Sequence, residues 1–261
     1  RESKRVDLQG KVAIVTGSSS PEGVGGEIAR ALAARGCRVT VNFASNRAGA
    51  EKVVAACIAA GSEAIAVQGD VAADADCRRL VSATVERWSR LDVLVNNAAV
   101  TRTIPLNDLE ALDAGEFQRL YAVNVIGPFQ MARAAAPHLK ASKDATIVNI
   151  SSVAGFLGSG SSIAYAASKG ALNTLTLSLA RALAPEVRVN AICPGGLLGG
   201  WMQKIMSEQG YQEKLRQAET KFPLRRGVWP ADVARQVLFL VENANTLTGE
   251  LLRTDSGQHL Y

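Results

Sequence analysis

The sequence is poor in the residues that build metal sites and disulfide frameworks. Its 261 residues include two histidines and four cysteines, and no two cysteines form a C-x-x-C pair. We therefore predict no metal site. The cysteines, Cys37, Cys57, Cys77 and Cys193, are interpreted as small buried residues of a protein in a reducing compartment, which makes a cytoplasmic location the expectation.

Long apolar runs are also lacking. The longest stretch without a charge covers residues 145–168 and is rich in serine, glycine and alanine, and no run of 18 apolar residues occurs. The sequence therefore predicts neither a membrane span nor a signal peptide. Part of the net charge of +5 falls in the first five residues, RESKR. The remainder is only mildly basic, so we predict no nucleic-acid partner.

What the sequence does contain is a regular alternation of two kinds of segment. Short β-branched runs such as VAIVT and RVTVNF alternate with longer segments rich in alanine and leucine. This pattern predicts an α/β fold, a doubly wound Rossmann domain with a parallel sheet of about seven strands and helices on both faces. Because no linker divides the chain, we predict one domain over residues 8–261. Residues 1–7 are predicted to form a flexible tail. The segment 195–230 interrupts the alternation and is predicted to be a substrate lid.

A glycine-rich turn, TGSSSPEGVGGEIAR, follows the first predicted strand. Glycines 17, 23 and 25 lie between this strand and the next helix, where backbone N–H groups and the positive end of the helix would face a phosphate. Taken alone, the turn leaves open the alternative of a glycine-rich connection that binds nothing.

A second motif, YAASK, places Tyr165 and Lys169 four residues apart on one face of a predicted helix. An ammonium group beside a phenol favours the phenolate, so we expect Lys169 to lower the pKa of Tyr165 and to fit it for proton transfer. Such a pair alone usually belongs to an amphipathic surface. Here Ser152 lies thirteen residues before Tyr165, and Asn124 lies within the preceding helix.

These motifs together resemble the short-chain dehydrogenase/reductase family from about Leu8 to Gly257. The turn resembles the family's Thr-Gly-x-x-x-Gly-x-Gly with two residues added, most simply Pro21 and Glu22, which we expect to bulge outward. NNAA at positions 96–99 is similar to the family's Asn-Asn-Ala-Gly. The resemblance implies an enzyme, an oxidoreductase that transfers a hydride between a nicotinamide dinucleotide and a small-molecule carbonyl or alcohol substrate.

The resemblance also assigns roles to the four residues that carry the chemistry. Ser152 would bind the substrate oxygen, Tyr165 would be the general acid and base, Lys169 would bind the nicotinamide ribose, and Asn124 would hold a water of a proton relay. Ser151 is the competing candidate for the serine role, but only Ser152 has the family's offset from Tyr165.

The residues implied to contact the dinucleotide come from six places in the chain. They are Gly17, Ser19, Gly23, Val24 and Gly25 in the turn; Asn42, Ser45, Asn46 and Arg47; Asp70 and Val71; Asn97, Ala98 and Ala99; Tyr165 and Lys169; and Pro194, Gly195 and Leu197. Two positions depart from the family pattern, since Ala99 replaces a glycine and Gly199 replaces a threonine.

The end of the second strand bears on the choice of dinucleotide. An NAD-dependent enzyme usually has a carboxylate there, which binds the ribose and repels the extra phosphate of NADP. This chain has Phe43 instead, and the neighbouring Asn42, Ser45, Asn46 and Arg47 are predicted donors for a 2′-phosphate. We therefore favour NADP(H) and leave NAD(H) open, since Glu22 stands where many NADP-dependent relatives have a basic residue.

The leading hypothesis is an NADP(H)-dependent ketone reductase or secondary-alcohol dehydrogenase, similar to the 3-oxoacyl-carrier-protein reductases. An NAD-dependent sugar, polyol or steroid alcohol dehydrogenase is the alternative, and a catalytically idle dinucleotide-binding sensor or scaffold is the alternative of another class. The segment 164–184 carries few charges, which favours a helix covered on both sides. Together with the resemblance, this predicts a homotetramer.

Overall fold

A computed structural model describes residues 5–260, except for the side chains of Trp201 and Ile205. It contains one seven-stranded parallel sheet in the order β3-β2-β1-β4-β5-β6-β7. The strands are β1 Val12–Val15, β2 Arg38–Phe43, β3 Ala64–Gln68, β4 Val93–Asn96, β5 Ala145–Ile150, β6 Val187–Pro194 and β7 Leu251–Thr254. The predicted fold class, a doubly wound parallel sheet of seven strands, is confirmed.

The helices lie on both faces of this sheet. They are α1 Val24–Ala33, α2 Arg47–Ala59, α3 Asp74–Trp88, α4 Ala114–Tyr121, α5 Gly127–Lys140, α6 Ala154–Leu157, α7 Ile163–Leu183, α8 Gly200–Ile205, α9 Glu208–Lys221 and α10 Pro230–Glu242. A π-helical segment, Ala122–Ile126, joins α4 to α5, and a 3₁₀ turn covers Gln258–Leu260. In the part of the chain described here, no helix has the length and apolar character needed to span a membrane.

The core consists of an apolar layer on each face of the sheet. One layer packs residues such as Ile28 of α1 and Val237 of α10 against Val15 and Val41. The other packs residues of α3, α5 and α7 against the opposite face. Strands β1, β4 and β5 are buried along their whole length, as expected for parallel strands covered by helices. All four cysteines are free and buried, and burial raises the pKa of their thiols.

The strand order reverses between β1 and β4, since β2 and β3 lie on one side and β5 to β7 on the other. At such a point the connections leave the sheet in opposite directions and open a crevice beyond the carboxyl ends of the strands. The turn after β1 and the segments after β4, β5 and β6 all meet at this edge.

The amino-terminal segment is packed from Arg5 onward. The backbone N–H of Val6 donates to the Glu242 carbonyl at 2.7 Å, the Arg5 guanidinium binds the Glu242 carboxylate at 2.7 Å, and Val6 is buried. The flexible tail predicted over residues 1–7 therefore does not describe Arg5 and Val6. Its residues 1–4 lie outside the described part of the chain.

The predicted lid, residues 195–230, contains α8 and α9. Its two ends pair with each other through Leu197 and Val228 and through the Leu198 N–H, which donates to the Val228 carbonyl at 2.7 Å. The Gly195 N–H ties this base to β7 by donating to the Thr254 carbonyl at 3.0 Å. The Tyr211 hydroxyl of α9 is buried and accepts from the Gly199 N–H at 3.3 Å. The lid therefore has both ends anchored at the carboxyl edge of β6.

Candidate active site

The turn after β1 is held rigidly against the segment after β4. Gly17 has a φ of +59°, and a Cβ atom there would lie 2.6 Å from Cα of Ala98, so only glycine fits. The Asn97 side chain donates to the carbonyls of Thr16 and Gly17, each at 2.9 Å. The Thr16 hydroxyl accepts from the N–H of Asn97 and of Ala98 at 3.0 Å. Asn97 and Ala98 therefore fix the conformation of the turn, in addition to their predicted contact with the dinucleotide.

Helix α1 begins at Val24, with Gly23 as its N-cap and with no side chain among the described residues accepting from its first turn. A Cβ atom at Gly25 would lie 2.4 Å from Nδ2 of Asn97 and 2.8 Å from the Gly17 carbonyl oxygen, so the helix begins directly against the turn. An uncapped helix start of this kind offers N–H groups and a partial positive charge to an anion. This arrangement fits the pyrophosphate of a dinucleotide.

The residues after β2 divide into supporting and exposed groups. Asn42 is buried; its Oδ1 accepts from the Gly17 N–H at 3.0 Å, and its Nδ2 donates to the Gly69 carbonyl at 3.0 Å. The expectation that Asn42 would donate to a phosphate was therefore wrong, because its amide is used to hold the turn. Asn46 caps α2 by accepting from the Gly49 N–H, and it donates to the Ser19 carbonyl at 3.3 Å.

Arg47 lies 5.2 Å above the ring of Phe43 and is exposed. Among the described residues it has no carboxylate within ion-pair distance, unlike most arginines of the chain. Ser45 is exposed beside it. The edge of the sheet at β2 therefore presents an unpaired guanidinium and no acid, a combination that fits the 2′-phosphate of NADP.

The segments after β3 and β4 contain further residues that are predicted to contact the dinucleotide, on the side where its adenine would lie. Asp70 is exposed, and its carboxylate accepts from the Ala72 N–H at 2.9 Å. Val71 is buried, and its carbonyl accepts from the Gln130 side chain at 2.8 Å. Ala99 is exposed at the same edge. The apolar surface of Val71 and the exposed backbone near Ala99 suit a flat ring system.

Ser152 and Tyr165 are brought together by the end of β5 and the start of α7. The Ser152 hydroxyl accepts from the Ala154 N–H at 3.1 Å, donates to the Pro194 carbonyl at 3.4 Å, and acts to lower the pKa of the Tyr165 phenol. Ser162 caps α7 by accepting from the Tyr165 N–H at 3.1 Å, which fixes the first turn of that helix. Ser151 is buried and donates to Asn173 Oδ1 at 2.6 Å. The structure therefore favours Ser152 over Ser151 as the serine that faces a substrate.

Lys169 lies beneath Tyr165 in the protein interior. Its Nζ is 5.7 Å from the centre of the Tyr165 ring and donates to the Ile150 carbonyl at 2.9 Å. The lysine is 2% exposed, and burial lowers its pKa to about 8, because desolvation disfavours the charged form.

The pKa of Tyr165 differs from the expectation. Burial raises it, and the hydrogen bond with Ser152 opposes this rise only in part. We expected Lys169 to lower it, but the lysine is 5.7 Å from the ring centre and is directed to the Ile150 carbonyl. The phenol is therefore protonated at neutral pH, which is the form that a proton donor needs.

Asn124, which the sequence placed within a helix, occupies the π-helical segment between α4 and α5. It is 1% exposed. Its Oδ1 accepts from the Val100 N–H at 2.9 Å, and its Nδ2 donates to the Val100 carbonyl and to the Ser168 hydroxyl, both at 3.0 Å. Both the oxygen and the nitrogen of its side-chain amide are thus hydrogen-bonded to protein groups, one of which is Ser168, the neighbour of Lys169 in the chain. A π-turn of this kind is often found at functional sites.

The end of β6 closes the site beside Ser152. The Pro194 carbonyl accepts from the Val153 N–H at 3.1 Å, and the Gly195 N–H donates to the Thr254 carbonyl at 3.0 Å. Leu197 is half-buried at the base of the lid. Gly199, which stands in place of the expected threonine, has a φ of +115°. A side chain there would be strained, so the backbone conformation itself accounts for the glycine.

Replacing Lys169 with methionine is expected to stabilise the protein at pH 7 by about 1 to 3 kcal/mol, because it removes a buried charge that has no carboxylate partner among residues 5–260. The folded-state pKa of Lys169, about 8, lies below the ordinary 10.5. Between these values the unfolded chain binds more protons, so the wild type gains stability as the pH rises. The advantage of the variant should therefore shrink between pH 8 and pH 10.5.

Urea unfolding of both proteins at several pH values measures this difference. The control is Lys140→Met, because Lys140 is exposed and its substitution should change the free energy of unfolding by less than about 0.5 kcal/mol. If the free energy of unfolding of Lys169→Met is lower than that of the wild type by the same amount at every pH, the predicted cost of burying the lysine charge is contradicted.

Sequence reasoning missed two residues that hold this site. Asn173, four residues after Lys169, accepts from Ser151, and Lys204 of the lid binds Glu22 of the turn. The i to i+4 spacing from Lys169 could have pointed to Asn173. Nothing in the sequence pairs Lys204 with Glu22, since 182 residues separate them.

Comparison with known proteins gives one consistent family. The family model described as short chain dehydrogenase matches residues 11–210. A chain assigned as ketoacyl reductase 2 of the granaticin polyketide synthase of Streptomyces violaceoruber is 45% identical over 249 residues, which cover 95% of this chain and 96% of that protein. The 3-oxoacyl-[acyl-carrier-protein] reductase of Synechocystis is 36% identical over 257 residues, covering 97% and 99%.

Solved structures agree with these sequence relatives. A crystal structure from Burkholderia xenovorans, assigned to the short-chain dehydrogenases/reductases, matches with a TM-score of 0.89 at 41% identity and covers 100% of both chains. A short-chain dehydrogenase/reductase from Serratia marcescens matches with a TM-score of 0.85 at 32% identity, covering 97% of this chain and 99% of that one.

Proposed function

Since this chain belongs to the short-chain dehydrogenase/reductase family, whose members are oxidoreductases of carbonyl and alcohol groups, we propose that it reduces 3-oxoacyl thioesters with NADPH. The observation that carries the proposal is the grouping of Ser152, Tyr165 and Lys169 at the carboxyl end of β5. This group shares the sheet edge with the uncapped start of α1 and with the unpaired Arg47.

The substrate class is supported by two relatives that carry ketoacyl or 3-oxoacyl reductase in their names. Phe156 and Leu157 of α6, just after Ser152, are large apolar residues that are 43% and 42% exposed. Arg253 lies 5.7 Å from the Phe156 ring. An apolar surface with a cation beside it suits an acyl chain attached to an anionic carrier.

The protein residues divide the reaction between binding and proton transfer. When bound, NADPH supplies the hydride that reduces the carbonyl carbon. Ser152 donates a hydrogen bond to the carbonyl oxygen and stabilises the charge that develops there. Tyr165 transfers its phenolic proton to the same oxygen, which completes the alcohol.

Proton replacement follows through the interior. The phenolate left on Tyr165 takes up a proton by way of Lys169, whose pKa of about 8 lets it exchange protons near neutral pH. Asn124 holds the helix turn next to Ser168 and Lys169, where a water of the relay would lie. The raised pKa of Tyr165 favours reduction at neutral pH and makes oxidation of the alcohol an alkaline reaction.

We also infer that each chain forms one Rossmann domain and that four chains assemble into a homotetramer. We propose a cytoplasmic location for the assembly. Helix α5 carries an exposed Phe129, and Ile126 beside it is 48% exposed, so an apolar surface extends from the π-helical segment along this helix. A self-complementary contact between two copies would cover it.

Assays with acetoacetyl thioesters test the proposed reaction. NADPH should be consumed at neutral pH faster than NADH, and the reverse oxidation with NADP should accelerate as the pH rises toward 10, because it requires the phenolate. Turnover of polyols or steroid alcohols with NAD, without turnover of ketoacyl thioesters, would contradict both the cofactor and the substrate class.

A further inference from the structure

The two residues that lengthen the dinucleotide turn lie against the lid. Nζ of Lys204 in α8 bonds Oε2 of Glu22. A Cβ atom at Gly200, the first residue of α8, would lie 3.1 Å from both Cβ and Oε2 of Glu22. Helix α8 therefore rests directly on a segment that the family's shorter turn does not contain.

Helix α8 is short and has no side-chain cap among the described residues. It follows Gly199, whose φ of +115° gives the chain a sharp change of direction. The ammonium of Lys204 lowers the pKa of the Glu22 carboxyl, so Glu22 is ionised at neutral pH and both members of the pair are charged. The pair also neutralises the carboxylate that would otherwise repel a pyrophosphate at the same turn.

We propose that Glu22 and Lys204 form a latch that holds the lid on the dinucleotide turn and slows release of the dinucleotide. The inference rests on the proposed function, because release is affected only if the turn binds a dinucleotide. Both side chains are more than half exposed, so the latch is weak and reversible. It positions the lid and takes no part in the transfer of hydride or proton.

Two measurements on the full chain test the latch. Hydrogen exchange of the α8 amides in the ligand-free protein reports lid opening, and stopped-flow fluorescence of NADPH reports release. Glu22→Gln and Lys204→Met should each accelerate both processes by about two- to five-fold, the range of an exposed ion pair. In the ligand-free protein, the charge-swapped Glu22→Lys/Lys204→Glu variant should return the α8 exchange rates to within about two-fold of the wild type, and high salt should reduce the differences among the variants.

A matched control lies in the same lid. The Glu213 and Arg216 pair is exposed but lies within α9, so Glu213→Gln should leave α8 exchange and NADPH release unchanged. The latch is contradicted if both single variants show wild-type rates of α8 exchange and NADPH release. It is also contradicted if the α8 amides of the charge-swapped protein exchange as fast as those of either single variant. A wild type that fails to bind NADPH would contradict the proposed function, while the exchange data would still decide whether Glu22 and Lys204 hold the lid.

Discussion

Replacing Tyr165 with phenylalanine is expected to lower kcat for reduction by about 10²- to 10⁴-fold, the usual contribution of a positioned acid. The variant keeps the ring packed near Lys169 but removes the hydroxyl that carries the transferred proton. Because the ring is retained and the dinucleotide turn is untouched, the Kd for NADPH should change by less than about three-fold, less than one hydrogen bond is worth. Steady-state kinetics and a fluorescence titration of the same sample measure the two quantities.

The matched control is Tyr121→Phe, which removes a phenolic hydroxyl at the end of α4. That variant should retain wild-type kcat. Full activity in Tyr165→Phe would remove Tyr165 from the role of proton donor, and a loss of NADPH binding of the same size as the loss of kcat would show that the tyrosine supports the site structurally.

Replacing Arg47 with alanine is expected to weaken NADPH binding by about 1.5 to 3 kcal/mol, the scale of hydrogen bonds to a charged group. This corresponds to roughly a 10- to 150-fold increase in Kd. Binding of NADH should hardly change, because NADH lacks the 2′-phosphate. The physical basis is that Arg47 is exposed beside Phe43 with no carboxylate partner among the described residues.

Two comparisons sharpen the Arg47 experiment. Arg47→Lys keeps the charge but not the forked guanidinium, so it should lose only part of the affinity. Arg78→Ala removes an exposed arginine that is already paired with Asp74, and it should leave both dinucleotides unaffected. Equal losses of NADPH and NADH in Arg47→Ala would mean that Arg47 does not meet the phosphate.

Most of the sheet was predictable because its central strands are buried on both faces and its strand segments are rich in β-branched residues. The run RVTVNF coincides with β2, and the run VAIVT contains β1, as observed. The π-helical segment around Asn124 was not predictable, because residues 122–126 contain neither a glycine nor a proline that would mark a change in the helix. The packing of Arg5 and Val6 on α10 depends on Glu242, which is more than 230 residues away.

In the site, too, contacts between residues close in the sequence were predictable, whereas contacts between distant segments were not. Ser152, Tyr165 and Lys169 come together because a strand end and one helix face fix their spacing. The use of Asn42 as a support depends on the Gly17 N–H and the Gly69 carbonyl, which lie at two other places in the chain. The direction of the Tyr165 pKa depends on burial, which outweighs a cation that is directed elsewhere.

Transfer of deuterium from NADPH that is dideuterated at C4 of the nicotinamide to an acetoacetyl thioester tests the central claim most directly. The account predicts a 3-hydroxyacyl thioester with one deuterium at the former carbonyl carbon, formed by the wild type and by Tyr121→Phe, with formation by Tyr165→Phe reduced about 10²- to 10⁴-fold. Tight binding of NADPH without any labelled product, across ketoacyl thioesters and simple ketones, would contradict it and identify a protein that binds the dinucleotide without reducing a carbonyl.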